Sequence, residues 1–342
     1  MENKVKESFH ENRTVLGEIL PLDTPFTILI DTSDVCNFKC NYCFRATGSD
    51  ISAPDYRRNQ LMSLETFSRV VEQMKAFPQQ IKRISLSHHG ESLCNPKLPE
   101  MVSMVKEAGF TGCCEIHTNA SLLTHEKSDA LIKAGLNRMV ISLQGLTAEK
   151  YKETCGVKIS MERFYDELSY LYANKTDDLQ MNIKIVDVAL EPGEDQLFLE
   201  KYSKVADRVF IEQVVPLWGI EAEEKENTSW KNKYGRAESW QECCPLAFYT
   251  INVLPSGKIY PCSHLTPPFD LGTVYTTTLY EAWNSPKRIA FLKDMLERGR
   301  DAYCECSSCY IPQNTIMMEE DKIDPYRNEI LQRMKDKNGG II

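Results

Sequence analysis

Hydrophobic and polar positions change period along this chain. From residue 26, short runs rich in β-branched residues alternate with stretches of helical period. Phe26-Thr27-Ile28-Leu29-Ile30-Asp31 reads as a buried strand. Residues 64–77 read as a helix with Ser63 as its N-cap. Strands follow over 83–91, 113–119, 138–145, 181–190 and 208–215. Helices fall between them over 98–109, 124–135, 161–174 and 194–205, the first two stopped by Gly109 and Gly135. About six β/α units result, which predicts a parallel sheet covered by helices. The pattern breaks near residue 220. A charged stretch, 221–235, precedes a β-hairpin over 249–262 turning at Leu254-Pro255-Ser256-Gly257. One or two helices follow over 279–299, and a charged tail from about 315 has partly helical pattern and no assigned role.

Alternation within the strands sorts their faces. Ile84 and Leu86, Cys114 and Ile116, Met139, Ile141 and Leu143, and Ile183 and Ile185 make one apolar face. Ser85, Ser87 and His89, Glu115, His117 and Asn119, Ser142 and Gln144, and Asn182 and Lys184 make the other. A dry core cannot hold so many unpaired polar groups, each costing about 1–3 kcal/mol. A curved sheet around a wet, ligand-filled interior satisfies both faces; hydrogen bonding among these side chains is the competing account. His89, Glu91, His117 and Gln144 fall at the C-terminal strand ends, where such sheets place active sites.

The formal charge of −9, from 40 Lys plus Arg and 49 Asp plus Glu, argues against nucleic acid as the main partner. No apolar run approaches the ~18 residues of a membrane span. The polar N-terminus, MENKVKESFHENRT, lacks an apolar signal core, so a cytoplasmic location is expected. In that setting thirteen cysteines read as metal or redox chemistry rather than a disulfide framework.

Cys36-x3-Cys40-x2-Cys43 follows the first strand directly. Three thiolates this close share a metal site. Structural zinc wants a fourth ligand, and no cysteine follows before Cys94. Three cysteines on a [4Fe–4S] cluster leave one iron open. This spacing, with Tyr42 before the last cysteine, resembles the radical S-adenosylmethionine (SAM) superfamily. The resemblance implies that the open iron chelates SAM, whose cleavage gives a 5′-deoxyadenosyl radical that abstracts hydrogen from substrate. It implies an α/β fold, a partial (β/α)6 TIM-like barrel, over about residues 24–220. Gly90-Glu91 matches the end of the family's glycine-glycine-glutamate motif, with His89 in place of the first glycine. Glu91 would then meet the SAM ammonium. Thr118-Asn119-Ala120 resembles the family's Thr-Asn-Gly, and Ser142 and Gln144 its contacts to the SAM carboxylate and ribose. Tyr42 would lie near the adenine.

A second group comprises Cys243, Cys244, Cys262, Cys304, Cys306 and Cys309. Cys244-x12-Gly257-x4-Cys262 spans the hairpin, and Cys306-x2-Cys309 supplies a chelating pair. Structural zinc is one reading. The pattern also resembles the SPASM/twitch auxiliary-cluster extension of radical SAM enzymes, a β-hairpin plus helix domain. No cysteine follows Cys309, which favours the short twitch form with one auxiliary [4Fe–4S] cluster on Cys244, Cys262, Cys306 and Cys309. The expected division is a lead-in (1–23), barrel (24–220), linker (221–242), auxiliary-cluster domain (243–315) and tail (316–342).

Four protein ligands leave the auxiliary cluster only an electron-transfer or structural role. The leading expectation is therefore oxidation of a secondary alcohol in a sugar, nucleotide-sugar or cyclitol, with His89, His117 or Lys184 as base. Epimerisation is the alternative, with Cys155 as hydrogen donor among the spare cysteines Cys94, Cys113, Cys114 and Cys155. Peptide modification is weaker, because only about 25 residues precede the first strand, too few for the peptide-recognition module of many SPASM relatives. The expected partners are a small-molecule substrate and an external one-electron donor such as flavodoxin or ferredoxin, with neither nucleic acid nor membrane.

Overall fold

The computed structural model describes residues 13–45, 59–215, 230–315 and 318–337. The expected lead-in, linker and tail each lie partly outside them. A short helix, α1 (Leu16–Ile19), precedes β1 (Thr27–Ile30). Then come α2 (Leu64–Met74), β2 (Arg83–Ser85), α3 (Leu98–Glu107), β3 (Cys113–Thr118), α4 (His125–Ala134), β4 (Arg138–Leu143), α5 (Ala148–Cys155), α6 (Met161–Asn174), β5 (Gln180–Val186), α7 (Glu194–Tyr202) and β6 (Arg208–Glu212). The polar oxygen of Ser63 accepts from Thr66 N–H at the start of α2, whose Phe67, Val70, Val71 and Met74 form one buried stripe. Strands β1 to β6 pair in parallel in chain order, as the β/α alternation predicts. Their apolar faces meet the helices in one core that includes Ile84, Leu86, Ile116, Ile141 and Ile183.

The hairpin departs from expectation. A two-strand ribbon, β7 (Trp230–Lys231) with β8 (Ala237–Glu238), and the short α8 (Leu246–Tyr249) lead to β9 (Thr250–Val253) and β10 (Ile259–Tyr260). Rather than standing apart, β9 pairs in parallel with β1, so the sheet runs β10-β9-β1-β2-β3-β4-β5-β6. It does not close, as in a partial barrel. Strand β9 has every side chain buried, which suits an internal strand rather than an exposed hairpin arm.

Beyond it lie α9 (Leu279–Trp283), α10 (Pro286–Arg298), α11 (Cys304–Ser307), α12 (Ile311–Thr315) and α13 (Arg327–Lys337). Leu16 and Leu20 of the lead-in pack with Phe248, Phe291, Ile330 and Met334. The tail, unassigned from sequence, thus clamps the chain's two ends together, and Arg333 Nε donates to Leu20 O at 2.7 Å. No helix among the described residues is long and apolar enough to cross a membrane.

Candidate active site

The second strand is shorter than 83–91 because residues 86–91 leave the ladder to meet the first cysteine loop. Glu91 N–H donates to Val35 O at 2.8 Å. A Cβ on Gly90 would lie 2.2 Å from Ser33 O and 2.8 Å from Val35 O, so glycine is required by close approach. Gly90→Ala is expected to cost about 1–3 kcal/mol and to reduce iron loading. Urea unfolding and iron analysis measure both, and an unchanged midpoint would show that the loop yields without cost.

Glu91 is buried at the centre of this junction. Its Oε1 accepts from Thr118 Oγ1 at 2.6 Å and Leu93 N–H at 2.9 Å, and its Oε2 from Asn119 N–H at 2.7 Å. Burial raises its carboxyl, against those three donors. Asn119 Nδ2 donates to Asn37 Oδ1 at 2.9 Å, tying β3 to the cysteine loop. Ala120, in the family's glycine place, holds φ +55. An L-residue pays for that conformation, which accounts for the glycine elsewhere. Tyr42 OH donates to Gln144 Oε1, closing the loop onto the end of β4, and Ser142 lies half-buried just before it. The structure therefore gathers Tyr42, Gly90, Glu91, Thr118, Asn119, Ser142 and Gln144 around Cys36, Cys40 and Cys43.

The four expected catalytic residues separate. His89 is buried, with Nδ1 2.7 Å from Asp31 Oδ2 and Nε2 3.0 Å from Ser263 O. Both ring nitrogens face acceptors, which removes it as a base and makes it a strut between β1 and the segment after Cys262. Burial raises the Asp31 carboxyl, but His89 outweighs it and holds it below the usual range. Lys184 Nζ lies 2.5 Å from Glu212 Oε2, an ion pair rather than a free amine. Cys155 is fully buried at the end of α5, a helix the sequence reading missed, and its Sγ donates to Tyr151 O at 3.0 Å. Phe38 and Tyr151 enclose it, and Cys36 and Cys40 pack against the same cluster, so it lies beside the cysteine loop.

His117 is the one left accessible. Its side chain is 45% exposed, and its Nε2 lies 3.4 Å from Glu115 Oε1. Glu115 is buried; Arg83 (3.4 Å), His117 and Arg138 (3.0 Å) outweigh its burial and hold its carboxyl well below the usual range. His88, unremarked in sequence beyond its place in the motif, is exposed beside His89, ring to ring at 4.2 Å.

Cys244, Cys262, Cys306 and Cys309 line one cavity with His264, Arg300 and Glu305. Cys243 turns away, its Sγ donating to Met295 O at 2.9 Å, and Cys304 is exposed elsewhere on α11. Arg300 is buried against this cavity. It donates to Gln241 O at 2.7 Å, to Cys309 O and to Gln313 Oε1 at 2.9 Å, and stacks 3.6 Å over Trp240. Among the described residues no carboxylate forms an ion pair with it.

The radical SAM superfamily model matches residues 30–188. A second, described as an iron-sulfur cluster-binding domain and named SPASM, matches residues 243–310. This chain joins a radical SAM domain to a SPASM domain. GTP 3′,8-cyclase of Syntrophomonas wolfei is 32% identical over 123 residues, 36% of this chain and 35% of that relative. The chain thus spans about a third to a half of the curated relatives it matches. Among solved structures, BtrN with AdoMet and 2-DOIA shares the fold at TM-score 0.54 and 18% identity, over 87% of this chain and 96% of that one. Native anSMEcpe with bound AdoMet does so at 0.54 and 17%, over 91% and 97%.

A radical SAM domain with a SPASM domain implies a SAM-binding [4Fe–4S] cluster and auxiliary iron-sulfur chemistry, and the second match replaces the zinc reading. Both donor sets fit. Among the described residues no three His, Cys, Asp or Glu side chains converge on a single ion. The four SPASM thiols instead surround a cavity, beside a buried cation that forms no ion pair with a carboxylate among the described residues. Burial and neighbouring thiols push Cys309 up to about 12, so the thiolates there depend on a bound metal group.

Proposed function

We propose that this radical SAM protein oxidises a secondary alcohol of a small substrate held in the barrel. The contact between the two cysteine sites carries this reading. Cys43 packs against Phe44, Leu254, Tyr260 and Leu265, an apolar bridge from the first loop to the SPASM hairpin. Cys262 follows Tyr260 by two residues, and His89 joins Asp31 to Ser263 alongside. When bound, the clusters and SAM supply hydrogen-atom abstraction at one end of this bridge and a one-electron sink at the other. Conversion of the alcohol to a ketone then lacks only an acceptor for the hydroxyl proton. His117 Nδ1 is the nitrogen for it, because Nε2 faces Glu115, which orients the ring. Glu91, Tyr42, Thr118, Asn119, Ser142 and Gln144 hold SAM. Epimerisation stays the alternative; its expected donor, Cys155, has its Sγ engaged by Tyr151 O.

The test is anaerobic turnover with SAM and a strong reductant over cyclitols, sugars and nucleotide-sugars. A product two hydrogens lighter, with one 5′-deoxyadenosine formed per product, supports the reading. A product of unchanged mass carrying solvent hydrogen overturns it in favour of epimerisation. His117→Gln is expected to lower product formation about 10²–10⁴-fold while SAM cleavage continues, read as the ratio of product to 5′-deoxyadenosine. The printed name of the curated relatives favours a phosphorylated nucleoside as a second reading of the substrate.

A further inference from the structure

Three charged residues at the last strands of the barrel have no role in the hydrogen-abstraction site described above. Glu212 ends β6, and each of its carboxylate oxygens meets a different lysine. Its Oε2 lies 2.5 Å from Lys184 Nζ and its Oε1 3.0 Å from Lys233 Nζ. Lys184 stands on the inner face of β5, in register with Ser142 of β4. Lys233 comes from the turn between β7 and β8. That turn is fixed in place: Gln213 N–H donates to Lys233 O at 2.7 Å, and Lys233 N–H to Asn314 O at 3.3 Å.

Two ammonium groups on one carboxylate leave one positive charge over. Among the described residues no second carboxylate pairs with either lysine. Glu212 is almost sealed, with 7% of its side chain exposed, whereas Lys184 and Lys233 keep 19% and 24%. The accessible edge of the cluster is therefore its cationic one. Asn182, on the same face of β5, is fully buried with both amide atoms unpartnered. Lys233 also lies 4.8 Å over the Tyr234 ring, which eases its charge without cancelling it, and a surplus cation in a largely enclosed site is costly without a counter-charge. In a chain of net charge −9, its survival at the barrel wall calls for an anionic occupant.

Resting on the reading of the barrel as the substrate chamber, we propose that Lys184 and Lys233, bridged by Glu212, seat an oxyanion of the substrate, a phosphate or a carboxylate. The seat fixes one end of the substrate by charge-assisted hydrogen bonds and leaves its neutral carbon skeleton towards His117 and the SAM site. Glu212 competes with the ligand for both lysines. This gives the cluster a signature that a structural ion pair lacks.

The experiment is titration calorimetry of the full-length, cluster-loaded protein at low salt, with inorganic phosphate and malonate as probes. Wild type is expected to bind at least one of them. Lys184→Met and Lys233→Met each keep the stem and remove the charge, and each is expected to weaken binding at least about tenfold. Glu212→Gln is expected to tighten binding severalfold, because the competing carboxylate is gone. Phosphate binding alone assigns a phosphate ester, and malonate binding alone a carboxylate. Failure of wild type to bind either probe, insensitivity to both lysine changes, or weaker binding by Glu212→Gln overturns the proposal. SAM cleavage is assayed separately on the same samples. Its loss with anion binding intact counts against the radical reading, and the reverse counts against this seat.

Discussion

Replacing Cys36, Cys40 and Cys43 together by alanine is expected to lower iron from about eight to about four per chain and to abolish 5′-deoxyadenosine formation. The three thiols lie in one loop after β1, and the residues gathered round them are those proposed above to hold SAM. Removing them leaves nothing to present an open iron to Glu91 and Gln144. The fold itself should persist. The loop is also held by Lys39 N–H to Cys155 O at 3.1 Å, Asn41 N–H to Thr154 O at 2.8 Å and the Gly90 approach, none of which involves a thiol. Circular dichroism should therefore be unchanged. The paired change Cys262→Ala with Cys306→Ala is expected to remove the other four irons and leave SAM cleavage in place. Iron analysis and chromatography of the nucleoside products decide both. Full iron retention by the triple variant would sink the assignment of these ligands.

The parts of the molecule legible in sequence were those carried by short-range pattern. Period-two alternation marked the inner faces, and Ser85, Ser87, Glu115 and Asn182 are buried polar residues as it requires. Spacing together with the resemblance to SPASM domains grouped Cys244 and Cys262 with Cys306 and Cys309. What stayed hidden depends on partners distant in the chain. Nothing in residues 250–253 says that they pair with residues 27–30 rather than forming an independent hairpin. Lys184 read as a base because Glu212 and Lys233, 28 and 49 positions away, are invisible to a local window. Cys155 read as a donor because Cys155-Gly156 stands where members of the resembled family often carry Arg-Gly beside SAM, and nothing local revealed that its thiol would meet Tyr151 O. The competing account of the polar face, mutual hydrogen bonding, holds for Glu115 with Arg138; the exposed His117 and His88 still face open space.

Arg300→Met is expected to lower the midpoint potential of the auxiliary cluster by on the order of 100 mV, the worth of a unit charge over about 7 Å at an effective dielectric near 20. Burial lowers the guanidinium's proton affinity, while Cys244, Cys309 and Cys306 raise it, so cation and thiols already sense one another. The charge is held by neutral groups, the carbonyls of Gln241 and Cys309 and the amide of Gln313. Asp324 adds to the pull of the thiols but forms no ion pair with Arg300 among the described residues, so the charge remains to offset negative charge on a four-thiolate cluster. Offsetting favours the reduced form, which carries one more electron, and so makes the cluster a better acceptor. That direction suits a protein that must take an electron from a substrate radical. A redox titration followed by electron paramagnetic resonance measures the shift without any substrate. Arg300→Lys keeps the charge and is expected to retain most of the potential while loosening the fork. A Met variant whose potential matches wild type would show that the guanidinium only braces the loop around Cys309, and the case for the SPASM cluster as electron sink would lose its electrostatic support.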